Sequence, residues 1–173
     1  EIEADEAVAK LISAKVEDGV LVIKAEGSFE TKSPLRLRVS APTLVGLEAG
    51  SSAKIVVLGV KADRFALALH GATSADWKGE VQKLDLELSG ASRATLMGKV
   101  DEAQLELSGA SRLEAEDVQS RAIEGSLSGA SQASVLATQR LKVDASGAST
   151  LRYKGEPGER DTHTSGASRI EKL

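Results

Sequence analysis

The tetrapeptide Ser89-Gly90-Ala91-Ser92 decides the fold, because the chain repeats it at a nearly constant spacing. Identical copies begin at Ser108, Ser128, Ser146 and Ser165, and two weaker copies precede them, Ala49-Gly50-Ser51-Ser52 and His70-Gly71-Ala72-Thr73. The seven starting positions, 49, 70, 89, 108, 128, 146 and 165, are 18 to 21 residues apart. Self-similarity at such a period indicates a solenoid, in which each repeat adds one layer to a stack.

Apolar and polar residues alternate on both sides of each tetrapeptide, with the period of two that marks a β-strand. Leu84, Leu86 and Leu88 precede the first full copy, and Ala94 and Leu96 follow it. Two short strands and one corner cannot bury an apolar face alone, but stacked repeats close a continuous core. The sequence therefore predicts an all-β fold, a single-stranded parallel β-helix with coils of about 19 residues, and the general rule for parallel crossovers makes it right-handed.

The glycine of each tetrapeptide is predicted to form the corner, because glycine adopts the positive φ of a tight turn without steric cost. Small residues at stacked corners also suit a narrow coil. The predicted structural corner glycines are Gly50, Gly71, Gly90, Gly109, Gly129, Gly147 and Gly166.

The whole chain, residues 1–173, is predicted to form one β-helix domain. Residues 1–45 lack the tetrapeptide and are expected to form an N-terminal hairpin cap with opening strands, since Asp18-Gly19 is a hairpin turn signal. Residues 46–173 are expected to form seven coils. The last repeat, from Ser165, shows no cap beyond the charges of Glu171 and Lys172, so its open edge is predicted to need such gatekeepers or a partner subunit.

Composition excludes several classes of function. The 173 residues include no cysteine, which rules out disulfides, a thiolate zinc site and a cysteine nucleophile. The net charge is −4 with dispersed Lys and Arg, so no basic patch indicates nucleic acid. No apolar stretch approaches the roughly 20 residues of a membrane span, so membrane insertion is not expected. The sequence begins at Glu1, and a removed signal peptide or a trimmed chain both fit an exported protein.

Taken with these corners, the segment Val16-Glu17-Asp18-Gly19-Val20-Leu21-Val22-Ile23 resembles the head GIN domain of putative autotransporter adhesins, a bacterial family. The segment Leu35 to Pro42, followed by Leu44, matches that family's transition into its coils. The resemblance implies a right-handed β-helix, export to the periplasm, outer membrane or cell surface, and adhesion to a protein or glycan surface. It also implies a trimer, and it supplies neither catalytic residues nor a cofactor.

An enzymatic reading rests on stacked carboxylates. Glu87 and Glu106 occupy equivalent places in adjacent repeats, and glycoside hydrolysis needs two carboxylates about 5 to 10 Å apart. The alternative is an outward solvated column whose like charges Arg93 and Arg112 relieve. Because the coils differ by only three residues and lack long loops that build a cleft, the solvated column is favoured.

Metal binding is the other chemistry to weigh. Glu114, Glu116 and Asp117 form an acidic cluster, but a calcium site needs six to eight oxygens from a shaped loop. The only two histidines, His70 and His163, lack ligand spacing. No metal is therefore expected, and no histidine accompanies the series of repeated serines to make them nucleophiles.

Two positions are weak candidates for contact with a partner. Trp77 is placed in a corner between strands, where it would be exposed for sugar stacking or would pack on the flank of the helix. Glu156 lies in the most irregular segment of the coils, residues 154–160, which is predicted to protrude.

Three functions remain after this reading. The favoured one is a non-enzymatic exported domain that presents a rigid surface for adhesion or envelope contacts. The alternative is a structural scaffold that polymerises through open coil ends. A carbohydrate-active enzyme is the third and the least favoured.

Overall fold

The computed structural model describes residues 2–3, 10–25 and 36–173, and these form strands and turns without a helix. The chain divides into two compact units, residues 1–42 and 43–173. In the first unit, β1 (Ile2–Glu3) pairs with β4 (Arg36–Leu37), while β2 (Ile12–Glu17) and β3 (Val20–Ala25) form an antiparallel hairpin.

The hairpin turns at the predicted dipeptide. Asp18 and Gly19 have φ values of 49° and 80°, the left-handed conformation that such a two-residue turn requires. The hairpin is therefore confirmed, and its role as a cap stays a prediction. In the segment from Leu35 to Pro42, which was predicted to lead into the coils, only Arg36 and Leu37 form a strand, and Leu35 lies outside the described residues.

The second unit is one parallel sheet wound into coils. Its strands are β5 (Gly46–Ala49), β6 (Lys54–Leu69), β7 (Ser74–Leu88), β8 (Arg93–Leu107), β9 (Arg112–Leu127), β10 (Gln132–Ala145), β11 (Thr150–Lys154), β12 (Glu159–Thr164) and β13 (Arg169–Lys172). Each strand pairs in parallel with the equivalent strand of the next coil. This confirms a parallel β-solenoid with coils of about 19 residues, and its right-handed winding stays a prediction.

The coils of β6 to β10 differ from the expected pair of short strands, whereas β11 and β12 form such a pair. Single strands of 14 to 16 residues run from one corner to the next in β6 to β10. Within β7, buried side chains fall at odd positions up to Val81 and at even positions from Leu84 onward. The same change of phase occurs between Val100 and Ala103 in β8. A bend within a continuous strand thus replaces the second corner.

The core consists of stacked columns of inward side chains. One column runs through Leu67, Leu86 and Leu105, and consecutive members are partners in the sheet register. Each of these leucines is at most 2% exposed, so each contributes roughly 1.5–3 kcal/mol through burial. The aromatic residues Phe65 and Trp77 lie together in one part of this core, with ring centroids 5.9 Å apart.

The corners stack with a geometry that requires glycine. Gly109 has a φ of 70°, and an added Cβ would lie 2.5 Å from the carbonyl oxygen of Gly90 in the coil before it. The same conformation and contact recur at Gly71, Gly90, Gly129, Gly147 and Gly166, with φ values of 70° to 73°.

Gly50 departs from this pattern. In the first corner Ser51 carries the positive φ, at 69°, and an added Cβ on Gly50 would meet no atom within 4 Å. A Cβ on Gly71 would lie 2.6 Å from the carbonyl oxygen of Ser51. Ser51 is therefore the residue that stacks beneath the corner glycines, one position later than the tetrapeptide alignment indicates.

We expect Ser51→Gly to raise the free energy of unfolding by about 0.5–1 kcal/mol. A left-handed conformation costs an L-residue about 1–2 kcal/mol, and the greater freedom of unfolded glycine offsets about half of this gain. Urea unfolding followed by circular dichroism measures the change. Ser52→Gly is the matched control: Ser52 is equally exposed but lacks a positive φ, so it should lose stability, and equal effects at both positions would contradict the assignment.

The last described coil has polar residues at positions that hold apolar ones in earlier coils. Arg160, Thr162 and Thr164 are the register partners of Leu141, Val143 and Ala145. Arg160 donates a hydrogen bond to the hydroxyl of Tyr153 at 2.9 Å. Polar residues at these positions discourage further pairing along β12, in addition to the gatekeeper charges predicted at Glu171 and Lys172.

Candidate interaction surface

The corners form an exposed ridge along the solenoid. The corner ridge comprises the first three residues of the tetrapeptides, residues 70–72, 89–91, 108–110, 128–130, 146–148 and 165–167. Its glycines and alanines are all exposed. The amide of Ala110 donates to the carbonyl oxygen of Gly90 at 2.7 Å, and the equivalent bond recurs at every coil. A continuous ladder of backbone hydrogen bonds consequently holds the ridge in place.

The fourth position of each corner points inward and forms a column of buried hydroxyls. Its members Thr73, Ser92, Ser111, Ser131 and Ser149 are each at most 1% exposed. Thr73 donates to the carbonyl oxygen of His70 at 2.8 Å, which closes the turn. The hydroxyls of Ser92, Ser111 and Ser131 lack a hydrogen-bond partner among the described residues. Repetition of serine here is structural, since these hydroxyls are inaccessible to a substrate.

Charged columns run beside the corner ridge. The acidic flank, two residues before each corner, contains Glu87, Glu106 and Asp144, with Glu48 in the same column. The basic flank, directly after each corner, contains Lys54, Arg93, Arg112 and Arg169. All these residues are exposed. The ridge thus separates two columns of opposite charge.

Glu87 and Glu106 are adjacent, as the stacking of repeats predicted. They are direct partners in the register of β7 and β8, and both are exposed on the outer face. The expected relief by Arg93 and Arg112 is not made through ion pairs: among the described residues Arg112 pairs with Glu114, at 3.6 Å between Nε and Oε1. A carboxylate pair on an open outer face lacks the enclosure that glycoside hydrolysis uses.

The acidic cluster at residues 114–117 is engaged with cations. Glu114 pairs with Arg112, and Oε2 of Glu116 lies 2.9 Å from Nζ of Lys154. The hydrogen bond with Glu116 raises the pKa of Lys154. In the part of the chain that the structure describes, no three His, Asp or Glu side chains lie close enough together to hold a metal ion.

His70 makes a contact that sequence reasoning missed. Its Nδ1 lies 2.8 Å from Oγ of Ser89, the first serine of the next corner, and its Nε2 lies 3.8 Å from Oε1 of Glu48. This order resembles a nucleophile, base and acid, but 3.8 Å exceeds a hydrogen bond and the Glu48 side chain is 79% exposed. The signal was the histidine in place of the first serine of a weaker tetrapeptide. His163 lies elsewhere, 3.4 Å from Asp144 and 3.5 Å from Asp161.

Of the two predicted contact residues, one is wrong. Trp77 lies within β7 and is 1% exposed, so it is a core residue and not an exposed corner residue. Gly79 leaves the space for it, because a Cβ there would lie 2.7 Å from Cζ2 of the indole. Glu156 is exposed in the segment between β11 and β12 and forms an ion pair with Lys172.

The stacked corners and exposed columns define a β-solenoid repeat protein whose accessible chemistry lies on its outer surface. The chain belongs to the family described as putative auto-transporter adhesin, head GIN domain, whose model matches residues 1–157. This confirms the resemblance drawn from the corners. By that description the family comprises head domains of putative adhesins, and it is not known as enzymatic.

Solved structures share the fold. A putative adhesin from Bacteroides fragilis is 24% identical, with a TM-score of 0.89 over 99% of this chain and 81% of that one. A putative adhesin from Parabacteroides merdae is 17% identical, with a TM-score of 0.75 over 99% and 82%. A putative lipid binding protein from Parabacteroides distasonis is 20% identical, with a TM-score of 0.71 over 99% and 82%. No curated protein matches the chain significantly.

Proposed function

We propose that this chain is a non-enzymatic, exported β-solenoid domain that presents its outer surface for adhesion or for contacts within the cell envelope. The observation that carries the proposal is membership of an adhesin head-domain family, over residues 1–157. Export to the periplasm, outer membrane or cell surface is part of the proposal. Within the described ranges no helix is long and apolar enough to cross a membrane.

The surface supports this function through repetition and rigidity. Coils about 4.8 Å apart place equivalent side chains in straight columns. A ligand with its own repeat, such as a glycan or a fibrous protein, can contact several members of a column at once. Because the corners hold these columns in place, little conformational entropy is lost on binding, and multivalency raises the apparent affinity.

Two other roles are less well supported. A scaffold that polymerises through its coil ends would bury Arg160, which lies in register with the core residue Leu141, against a neighbouring core, and burial is costly for a charge.

Binding of a lipid chain inside the coils would need space that the described core does not offer. The void between Leu96, Ala115 and Val135 measures about 10 Å³, which is room for about one water molecule.

Two measurements test the proposal: one locates the protein in the cell, and the other detects binding. Intact bacteria that express the tagged full-length protein are treated with protease, and the purified chain is applied to arrays of glycans and extracellular-matrix proteins. We expect cleavage on intact cells and saturable binding on the arrays. Glu156→Lys should weaken binding if the 154–160 segment contributes, and Glu102→Lys, another exposed carboxylate away from that segment, is the control. Protection from protease together with no binding would overturn the proposal.

A further inference from the structure

The charges on the two sides of the corner ridge match each other at five of the seven corners. Three corners carry an acid before the ridge and a base after it, and two carry an uncharged residue on both sides. The charged pairs are Glu48 with Lys54, Glu87 with Arg93, and Glu106 with Arg112; the uncharged pairs are Ala68 with Ser74, and Ser126 with Gln132. The remaining pairs are Asp144 with Thr150 and His163 with Arg169.

Within one chain these columns place like charges side by side. Glu87 is the register partner of Glu106, and Arg93 is the register partner of Arg112. Like charges directly opposite in a sheet are destabilising. Among the described residues, no ion pair reaches Glu87, Glu106 or Arg93. In the single chain, like charges therefore repel each other on each flank, and a partner that places opposite charges there would relieve this repulsion.

We propose that a second copy of this chain packs against the corner ridge, with the two solenoid axes parallel and related by a twofold axis along the solenoid. Such a rotation exchanges the two flanks, so the basic flank of each copy faces the acidic flank of the other. A twofold axis across the ridge would instead set acid against acid and base against base. Charge alone thus selects the parallel arrangement.

The register of the pairing is specified as well. A twofold axis along the solenoid sets every coil opposite the same coil of the second copy. Arg93 then meets Glu87, Arg112 meets Glu106, and Lys54 meets Glu48, each twice by symmetry. A slip of one coil keeps only two of these six contacts: Arg112 of one copy faces Glu87 on one flank, and Arg93 of the other copy faces Glu106 on the other flank. Apart from His70, the side chains of the ridge are small and let the two backbones approach, so that the long charged side chains reach past it.

A polyanion, such as an acidic polysaccharide, is the other partner that the basic flank suggests. The acidic flank lies beside the basic flank, across a ridge three residues wide, and its negative charge opposes anion binding. The net charge of −4 opposes it further. A second copy uses both flanks, which favours self-association.

Sedimentation velocity and light scattering on the purified chain test the proposal. Because exposed ion pairs are individually weak and screened by salt, we expect a concentration-dependent shift from 18.0 kDa toward twice that mass. The range to cover is about 10 μM to about 1 mM, and about 0.5 M NaCl should reverse the shift. A strict monomer at low salt, or a trimer, would overturn the twofold pairing.

Charge exchange supplies the decisive comparison. The double variants Glu87→Arg/Glu106→Arg and Arg93→Glu/Arg112→Glu should each be monomeric, and an equimolar mixture of the two should form a heterodimer. Glu80→Arg/Glu102→Arg, with the same change of charge at exposed positions away from the flanks, should dimerise as the wild type does. Circular dichroism confirms that each variant is folded. No association in the mixture, or a monomer that binds heparin through Arg93 and Arg112, would overturn the proposal.

Discussion

Gly109→Val is expected to lower the free energy of unfolding by about 3 kcal/mol or more, one of the two largest single-residue effects that we expect. The φ of 70° at Gly109 costs an L-residue about 1–2 kcal/mol. The added Cβ would also lie 2.5 Å from the carbonyl oxygen of Gly90, a backbone atom, and overpacking of this kind costs about 1–3 kcal/mol. Urea unfolding followed by circular dichroism measures the loss.

Gly50→Ala is the matched control, because Gly50 belongs to the same tetrapeptide series but lacks both constraints. No atom lies within 4 Å of its added Cβ, so we expect stability to be unchanged or to rise by up to about 1 kcal/mol. Gly109→Ala should still be strongly destabilising. If Gly50→Ala and Gly109→Ala had equal effects, stacking and positive φ would not be the reason for glycine at the corners.

The fold was predictable because its demands fall on one residue type at a fixed spacing. A corner residue with a positive φ, stacked on the carbonyl oxygen of the preceding corner, is unstrained only if it is glycine. Six corners therefore keep Gly in the tetrapeptide. At the first corner no coil lies beneath among the described residues of the second unit, and Ser51 takes the left-handed conformation there. The alignment with Gly50 could not show this, since the tetrapeptide is incomplete at that point.

Contacts between coils were harder to predict, because the coils vary from 18 to 21 residues and a contact depends on the register. The hydrogen bond between His70 and Ser89 joins two adjacent corners and spans 19 residues of the chain. The polar positions of β12 are recognised only when Arg160 is aligned with Leu141. Charge pairs such as Arg140 with Glu159, at 2.8 Å, follow the same rule. The local sequence pattern shows which side chains face the core or the solvent, but the structure is needed to show which residues of adjacent coils stack in one column.

Trp77 shows how a local pattern misleads. Asp76, Lys78 and Gly79 surround it with the polar and small residues of a turn, which favoured a corner between strands, with Trp77 either exposed or packed on the flank of the helix. In the strand, Asp76 and Lys78 alternate outward while Trp77 and Gly79 point inward, and the missing side chain of Gly79 makes room for the indole. The glycine that resembled a turn residue is therefore a packing partner.

Trp77→Ala is expected to lower the free energy of unfolding by about 3–5 kcal/mol, the cost of removing a large aromatic side chain from a core. The indole is 1% exposed and packs against the ring of Phe65. Neighbouring coils hold their own register, so the site cannot collapse fully around the cavity. Because Trp77 is the only tryptophan, the wild-type protein should also show blue-shifted fluorescence that acrylamide quenches weakly.

Trp77→Phe separates packing from polarity. The indole Nε1 is buried without a hydrogen-bond partner among the described residues, and an unpaired buried donor costs about 1–3 kcal/mol. Phenylalanine keeps an aromatic ring beside Phe65 and removes that donor, so the lost contact area and the relieved donor should nearly cancel. We expect a change within about 1 kcal/mol. If Trp77→Phe lost as much stability as Trp77→Ala, the indole donor would have a hydrogen-bond partner in solution. Strong acrylamide quenching of the wild-type fluorescence would mean that Trp77 is not a core residue.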